Sequence, residues 1–261
     1  MEIKEKEARI ITSAQKCLQI LSYMATVNEE LSINDLVMSL ELNKSTMHHY
    51  LATLVGEKYL LQNPENKKYR IGPEAFRVGE SYLRKDLPYQ DIDGLLKELH
   101  EKIGMSIYFY ISSGEKATCV LVRGVTRQLY GRNSVGIGST VPMHASAAGK
   151  VFLAYMPEYE RERIIKKTGL KAYTKKTITD PEILNGELME IRLRGYAVND
   201  CEHDEEVSLS VPVFGFGDKI VGAVSVAGEP SQLTDKQMKK LIQPLLRYGQ
   251  LLSEMVHNVI L

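Results

Sequence analysis

Residues 41–61 read ELNKSTMHHYLATLVGEKYLL, and this stretch decides the fold of the first part of the chain. Its apolar side chains recur at the spacing of one helix face, at i, i+4, i+7 and i+8. They are Met47, Leu51, Leu54 and Val55. Asn43 can serve as the N-cap, because its side-chain oxygen can accept a hydrogen bond from a backbone N–H of the first turn. The pattern predicts a helix that begins at Lys44.

The other face of this helix is small and polar, and no acidic residue occurs between positions 44 and 53. Such a face can lie against a polyanion, because hydroxyl groups and the amides of the first turn suit phosphates and longer side chains suit base edges. The same periodicity also fits an ordinary amphipathic helix in a core. The neighbouring segments decide between the two interpretations.

Apolar residues at helical spacing also occur in residues 13–26 and 31–40. A connection of about three residues joins the second of these segments to the helix that begins at position 44, and two short helices joined in this way form a helix-turn-helix. Residues 59–62 and 68–71 can then pair as strands across a turn that contains Asn-Pro. The sequence therefore predicts a winged helix-turn-helix.

The charge of the whole chain is balanced, with 33 basic and 33 acidic residues, so any nucleic-acid interface must be local. Between positions 43 and 70, five basic residues outnumber two acidic ones, which gives a net charge of +3. So few phosphate contacts per subunit give weak binding. We therefore expect a homodimer, or a dimer of dimers, that reads two half-sites in double-stranded DNA.

The length of 261 residues exceeds that of one usual domain and predicts two. The three cysteines are an odd number at wide spacing, which is typical of reduced thiols in the cytoplasm. No secretion signal and no apolar stretch of membrane-spanning length is visible. We expect a cytoplasmic protein that does not interact with membranes.

The second part of the chain combines predicted helices with strand pairs, which indicates an α+β domain. The strand-like runs are 106–112, 117–125, 207–214 and 219–227. Residues 234–261 form a long amphipathic pattern, and Pro244 is expected to kink or split that helix. A phosphate-binding loop before Lys150 is excluded, because its motif needs Gly at position 144 and Ser or Thr at position 151, and the chain has His144 and Val151.

Several segments resemble the IclR family of bacterial transcriptional regulators, and together they cover nearly the whole chain. The N-terminal ones are SAQKCLQIL, LNKSTMHHYLATLVGEKYL and YRIGPEAFRVG, and the C-terminal ones are GSTVPMHASAAGKVFLAYMP, LRGYAVNDCE and VSLSVPVFGFGDKIVGAVSVAGEPSQLT. The resemblance implies a winged helix-turn-helix domain in residues 1–72, a linker helix in 73–90, and a GAF-like effector-binding and oligomerisation domain with a curved antiparallel sheet in 91–261. It implies a regulator, repressor or activator, that binds a pseudo-palindromic operator and is not an enzyme.

The resemblance also implies which residues contact DNA, at the start of the recognition helix and on the wing. They are Lys44, Ser45, Thr46, His48, His49, Lys67, Lys68 and Arg70. Two positions depart from the family pattern. The family usually has Arg at the position of His49, so one fixed charge is missing here. It usually has Gly at the position of Lys58, where a left-handed backbone conformation costs a lysine about 1 kcal/mol.

The implied effector is a small metabolite, an organic or aromatic acid, held beside the sheet. The implied lining residues are Tyr130, Asn133, Val141, Ala147, Ala148, Asn199, Leu209, Ser225 and Ala227. Backbone N–H groups at the start of a helix predicted for residues 145–154 can hold a carboxylate. The family commonly has Gly at the position of Glu206. No cofactor is expected.

A metal-binding or thiol-dependent enzyme is the alternative reading. Cys201, His203 and His144 could meet at a metal ion, although adjacent residues rarely converge on one ion. Cys119 or Cys201 could act as a nucleophile with His144 as the base, but the chain lacks a nucleophile elbow and a paired-carboxylate signature. We expect no metal site and no catalytic residue, and we expect Lys150 to contact a helix or solvent rather than a ligand.

Overall fold

The N-terminal elements of the computed structural model form a three-helix unit with a two-stranded wing. The structure describes residues 10–27, 29–86, 88–124 and 136–257. The elements of this unit are α1 (Thr12–Met24), α2 (Ile33–Leu40), α3 (Lys44–Gly56), β1 (Leu60–Gln62) and β2 (Tyr69–Ile71), and α4 (Pro73–Asp86) follows the wing. The predicted winged helix-turn-helix is confirmed. The chain divides into two compact units between Tyr82 and Leu83, within α4.

The apolar stripe of α3 lies in the core of the first unit. Met47, Leu51 and Leu54 are buried there, and they pack with side chains from the other elements of the unit. Those partners include Ile20, Met24, Leu36, Leu60 and Tyr69. Because this stripe is buried, the opposite face of α3 is left exposed to solvent.

Two side-chain caps fix where α2 and α3 begin. Ser32 and Asp35 form a reciprocal capping box, in which the Ser32 N–H donates to Asp35 Oδ2 at 2.8 Å. The Thr46 N–H donates to Asn43 Oδ1, also at 2.8 Å, so Asn43 is the N-cap of α3 as predicted. At the other end of α2, the C-cap residue Glu41 adopts a left-handed backbone conformation.

The chain leaves α3 through a tight crossing at Lys58. This residue has φ 62°, the left-handed conformation that favours glycine. Its carbonyl accepts the Glu74 N–H at 3.3 Å and lies so close to Gly72 that a Cβ at position 72 would overlap it. The base of the wing therefore depends on a strained lysine and an obligatory glycine.

Replacement of Lys58 by glycine is expected to stabilise the first unit by about 1 kcal/mol, because glycine adopts this φ without a Cβ penalty. Hydrogen exchange of the α1 and α3 amides in the full chain measures the effect. Lys58→Ala is the control, since it removes the long side chain and keeps the Cβ. An equal gain from both variants would show that backbone strain is not the cause.

The second unit is built on one six-stranded antiparallel sheet. Its helices are α5 (Tyr89–Ile103), α6 (Ala147–Tyr155), α7 (Glu158–Thr168), α8 (Pro181–Arg194) and α9 (Asp235–Val256). Its strands are β3 (Ile107–Ser112), β4 (Lys116–Arg123), β5 (Thr140–Pro142), β6 (Ala197–Asp200), β7 (Val207–Phe214) and β8 (Ile220–Gly228). The strand order is β5-β4-β3-β8-β7-β6. The predicted α+β class, with an antiparallel sheet, is confirmed.

Each face of this sheet has its own apolar core. On one face, α5 and α9 pack against inward side chains such as Leu209 and Val224. On the other face, α6 and α8 pack against Tyr110 and Ala223. Alternate residues of a strand therefore belong to different cores. The pairing of Ser208 with Ala227 and of Ser210 with Ser225 sets which residues face α6.

Two features of this unit differ from the sequence prediction. The short strands β5 and β6 were not predicted, because three or four residues show too little alternation. Pro244 does not split the C-terminal helix, since α9 is one helix of 22 residues that contains this proline. Leu241 and Leu245 flank Pro244 and are both buried against the sheet, so packing outweighs the missing hydrogen bond.

Candidate nucleic-acid interface and ligand cavity

The exposed face of α3 carries the predicted base- and phosphate-contacting side chains. Lys44, Ser45, His48 and His49 are exposed, and Thr46 is half-buried. The Thr46 N–H is occupied by the cap from Asn43. Exposed side chains from the first and second turns of α3 therefore lie on one polar surface. A helix that reads bases in the major groove needs such a surface.

The wing is held against the segment that precedes α2. Tyr69 pairs with Leu31 through two backbone hydrogen bonds of 2.8 and 3.0 Å. Glu30 accepts hydrogen bonds from Asn63 and Asn66, and Arg70 Nε lies 3.7 Å from its carboxylate. The hydrogen bonds from the two asparagines, with a smaller contribution from Arg70, lower the pKa of the Glu30 carboxyl. The structure therefore orders the wing, and part of the Arg70 charge is compensated within the protein.

Lys67 and Lys68 are exposed at the end of the wing. Lys67 has φ 59° and donates its N–H to the Asn63 carbonyl at 3.0 Å. Of the three predicted wing cations, these two are the better placed for phosphates, because Arg70 lies beside Glu30.

Two neighbouring cavities share the wall residues Glu206 and Ala227, and the inner one lies on the α6 side of the sheet. The inner cavity has a volume of about 30 Å³, which is room for about one water molecule. Its walls are Tyr110, Val141, Ser146, Ala147, Ala148, Asn199, His203, Asp204, Glu206, Ser208, Ser225 and Ala227. The outer cavity, of about 600 Å³, begins at the ends of β3 and β8 and reaches Lys240.

The structure brings six of the nine expected effector residues together in the inner cavity. They are Val141, Ala147, Ala148, Asn199, Ser225 and Ala227. Leu209 is a correction: its side chain is buried on the opposite face of the sheet, with α5 and α9, and its neighbour Ser208 lines the cavity instead. Tyr130 and Asn133 lie outside the described residues.

The polar residues that the sequence singled out mostly hold the walls in place. The Asn199 amide accepts the Glu202 N–H at 2.8 Å and donates to the Glu206 carbonyl at 3.2 Å. The Ser225 hydroxyl donates to Ser210 Oγ at 2.8 Å. Asn199 therefore fixes the 200–206 loop, and Ser225 links two strands.

The sequence prediction missed six lining residues, which are Tyr110, Ser146, His203, Asp204, Glu206 and Ser208. The alternation along β3 and β7 contains the signal for Tyr110 and Ser208, once the face that carries α6 is known. His203 and Asp204 follow β6, and their place at the cavity depends on how Asn199 folds the loop back.

A buried ion pair lies behind this loop. Lys150 Nζ lies 2.5 Å from Glu202 Oε1, and the two side chains are 1% and 9% exposed. Glu187 of α8 is 3.9 Å from the same ammonium. Lys150 thus contacts a helix, as expected, but it is buried, and the ion pair with Glu202 joins α6 to the loop. Within the part of the chain that the structure describes, Glu202 Oε2 is buried without a hydrogen-bond partner.

The residues considered for metal binding do not assemble a site. Among the described residues, no three His, Cys, Asp or Glu side chains are placed to hold a metal ion. The rings of His144 and His203 each lie against Tyr173, with centroid distances of 5.8 and 4.9 Å. His144 Nε2 is 3.0 Å from the Lys171 carbonyl, and burial lowers the pKa of this histidine.

The thiols are poorly suited to nucleophilic chemistry. Burial raises the pKa of Cys119 to about 12, and burial also raises the pKa of Cys201. A thiol with a raised pKa is protonated near neutral pH, and the thiolate is the nucleophile. The geometry gives no support to the alternative of a thiol-dependent enzyme.

Within the described residues, no helix has the length and apolar character needed to cross a membrane.

Comparison with known proteins agrees with both units. Residues 86–254 match the family model described as bacterial transcriptional regulator IclR C-terminal, and residues 13–64 match the IclR helix-turn-helix domain. The HTH-type transcriptional regulator XynR of Escherichia coli (strain K12) is 30% identical over 94% of this chain and 96% of its own. The transcriptional repressor IclR of the same organism is 29% identical over 87% of this chain and 84% of its own.

Solved structures show the same fold. The crystal structure of the Thermotoga maritima IclR has a TM-score of 0.68 at 24% identity and covers 94% of this chain and 99% of its own. An IclR transcriptional regulator from Alicyclobacillus acidocaldarius has a TM-score of 0.77 at 23% identity, with coverage of 94% and 98%. The curated relatives are transcriptional regulators, not enzymes. The resemblance read from the sequence is thus confirmed, and the chain belongs to the IclR family of ligand-responsive, DNA-binding transcriptional regulators.

Proposed function

We propose that two copies of this regulator read a pseudo-palindromic operator with their α3 helices, and that a small effector beside α6 changes the affinity for that operator. The observation that carries the proposal is α3 itself, whose buried stripe leaves a polar face without an acidic residue from position 44 to 53. The proposed DNA contacts are Lys44, Ser45, Thr46, His48, His49, Lys67, Lys68 and Arg70.

A homodimer, or a dimer of dimers, follows from the modest charge of this surface. One unit with a net charge of +3 between positions 43 and 70 neutralises few phosphates, and two half-sites multiply the affinity. The helix α4 supplies a surface for a second copy, because Phe76 is 76% exposed and Val78 is 43% exposed on it. An exposed apolar patch can mark a contact with a second copy.

The proposed effector is an organic or aromatic acid in the inner cavity, with its carboxylate at the N-terminal turn of α6. Ala147 and Ala148 form that turn and line the cavity, and the first amides of a helix have no partner within the helix. The proposed contacts also include Val141, Asn199, Ser225 and Ala227, together with Tyr130 and Asn133. The protein acts in the cytoplasm, without a cofactor or catalysis. Relatives named as repressors favour repression.

Replacement of Lys44 by alanine is expected to weaken binding to every operator sequence, because an ammonium at this position interacts with phosphates. The slope of log affinity against log salt should fall by about one. Replacement of His49 should change the preference at one base pair instead, because we propose that this exposed side chain contacts a base edge. A mobility-shift titration at two salt concentrations, with DNA from upstream of the protein's own gene, measures both effects.

Lys97→Ala is the matched control, because Lys97 is exposed on α5 in the other unit. It should leave operator binding unchanged. The DNA proposal fails if the wild-type chain gives no salt-dependent specific complex. The base-reading role of His49 fails if its replacement weakens all sites equally.

A further inference from the structure

A groove between α7 and α8 contains two arginines, and its volume is about 220 Å³. The wall residues from α8 recur at i, i+3, i+4 and i+7, which places them on one face of that helix, and the two from α7 are three residues apart. The walls are Glu158, Arg161, Asn185, Leu188, Met189 and Arg192. None of these residues lines the inner or the outer cavity, so the groove is separate from the site proposed for the effector.

In the described part of the chain, each of the two guanidinium groups is held by one hydrogen bond. Arg161 Nη2 donates to Glu158 Oε1 at 3.2 Å, and the Arg161 side chain is 14% exposed. Arg192 Nε donates to the Ala154 carbonyl, in the last turn of α6. A guanidinium group has five N–H donors in a planar fork, so each arginine keeps donors for a ligand.

The protein compensates the charge of these arginines only in part. Arg192 forms no ion pair with a described residue, and its hydrogen bond goes to a neutral carbonyl. Glu158 pairs with Arg161 but is 75% exposed, so water screens that pair. The Glu187 carboxylate of α8 forms its ion pairs with basic residues outside the groove. Two arginines and one glutamate give the walls a net charge of +1, which favours an anion.

The remaining walls indicate the size and chemistry of that anion. Leu188 is buried and supplies apolar surface, and the exposed Asn185 supplies an amide. Sites for drug-sized molecules begin at about 300 Å³, so this groove fits an ion or a molecule of a few carbon atoms. A phosphate group suits two arginines on different helices, because its oxygens point in several directions, whereas the two oxygens of a carboxylate lie in one plane.

We propose that this groove is a second ligand site, which binds a small phosphate-bearing molecule. The phosphate group lies between Arg161 and Arg192, and a short carbon skeleton lies over Leu188 toward the Asn185 amide. The inference goes beyond the proposed function, because this ligand is distinct from the effector in the inner cavity.

Titration calorimetry of the full chain tests the site with inorganic phosphate, glycerol 3-phosphate and glycerol at one ionic strength. At least one of the two phosphate probes is expected to bind about tenfold or more tightly than glycerol. Tighter binding of glycerol 3-phosphate than of phosphate identifies the ligand as a phosphorylated metabolite. Equal or tighter binding of inorganic phosphate identifies it as the free ion, and both results support the site.

Three variants assign the binding to this groove. Arg161→Gln and Arg192→Gln should each weaken binding of the phosphate probes about tenfold or more, because each removes hydrogen bonds from a charged donor. Glu158→Gln should strengthen that binding about two- to fivefold, because it frees Arg161 from a competing carboxylate. Melting temperatures of the unliganded variants identify any loss of folding, and Arg161→Gln leaves the contact between Arg192 and α6 intact.

Arg163→Gln is the matched control, because Arg163 also lies on α7 with a glutamate three residues before it, but is 71% exposed and outside the groove. It should keep the affinity for both phosphate probes. The site is refuted if neither phosphate probe binds more tightly than glycerol, or if Arg161→Gln and Arg163→Gln weaken binding equally. Lactate provides the carboxylate comparison, and a loss of lactate affinity in Arg161→Gln as large as that of the phosphate probes would overturn the assignment to phosphate.

Discussion

Replacement of Lys150 by methionine is expected to lower the free energy of unfolding of the second unit by about 3–5 kcal/mol, since removal of one partner of a buried ion pair leaves the other uncompensated. Lys150 is 1% exposed and its closest partner is Glu202, at 2.5 Å. Glu187 cannot replace it, because that carboxylate is also negative. Urea unfolding followed by far-ultraviolet circular dichroism measures the change, because the chain contains no tryptophan for fluorescence.

The double variant Lys150→Met with Glu202→Met separates two contributions to the free energy of unfolding. One is the cost of leaving Glu202 charged and unpaired, and the other is the net contribution of the ion pair. The double variant should recover most of the lost stability, because two packed apolar side chains avoid the desolvation of both charges. Lys176→Met is the exposed control, since its ion pair with Asp200 lies in solvent and should matter little. If Lys150→Met lowers the free energy of unfolding no more than Lys176→Met does, the ion pair of Lys150 and Glu202 does not stabilise the 200–206 loop.

Replacement of Gly149 by alanine is expected to destabilise the second unit by about 3 kcal/mol and to abolish binding in the inner cavity. A Cβ at this position would overlap the backbone of Pro142 and Met143. Backbone atoms cannot move aside as a flexible side chain can, so α6 would have to leave the strand end against which it packs. Calorimetric ligand titration and urea unfolding of the same sample measure the two losses.

Gly186→Ala provides the control for this glycine. Gly186 lies in α8, and a Cβ there would meet no atom within 4 Å. Alanine has the higher helix propensity, so this variant should gain up to about 1 kcal/mol. The close approach of α6 would be refuted if the two replacements changed stability in the same direction.

Helix caps, apolar periodicity and turn residues were sufficient to predict the fold of the DNA-binding unit. The cap at Asn43 and the buried stripe of α3 are effects within one or two helical turns, and the structure shows both of them. The left-handed conformation of Lys58 was implied by the family resemblance, and the structure shows it as well. The hairpin was predicted because its turn contains Asn-Pro between two short strand-like runs. Such features need no knowledge of distant parts of the chain.

The cavity could be predicted only in part, because it depends on distant contacts. The alternation along β7 separates Ser208 from Leu209, but the position of α6 decides which of them lines the inner cavity. Lys150 and Glu202 are 52 residues apart, and no sequence pattern predicts their contact. The continuity of α9 through Pro244 was not predicted for a similar reason, since the packing of α9 on the sheet is not a local property.

The small volume of the inner cavity has a consequence for the effector concentration to which the proposed regulator responds. A space of about 30 Å³ must open before an effector larger than water can occupy it, so only the open fraction of molecules is competent to bind. The effector concentration at which transcription switches is then set by the cost of opening as well as by the contacts. Variation in the wall residues behind the cavity can therefore retune the threshold of the response in a population of bacteria while the order of preferred inducers stays the same.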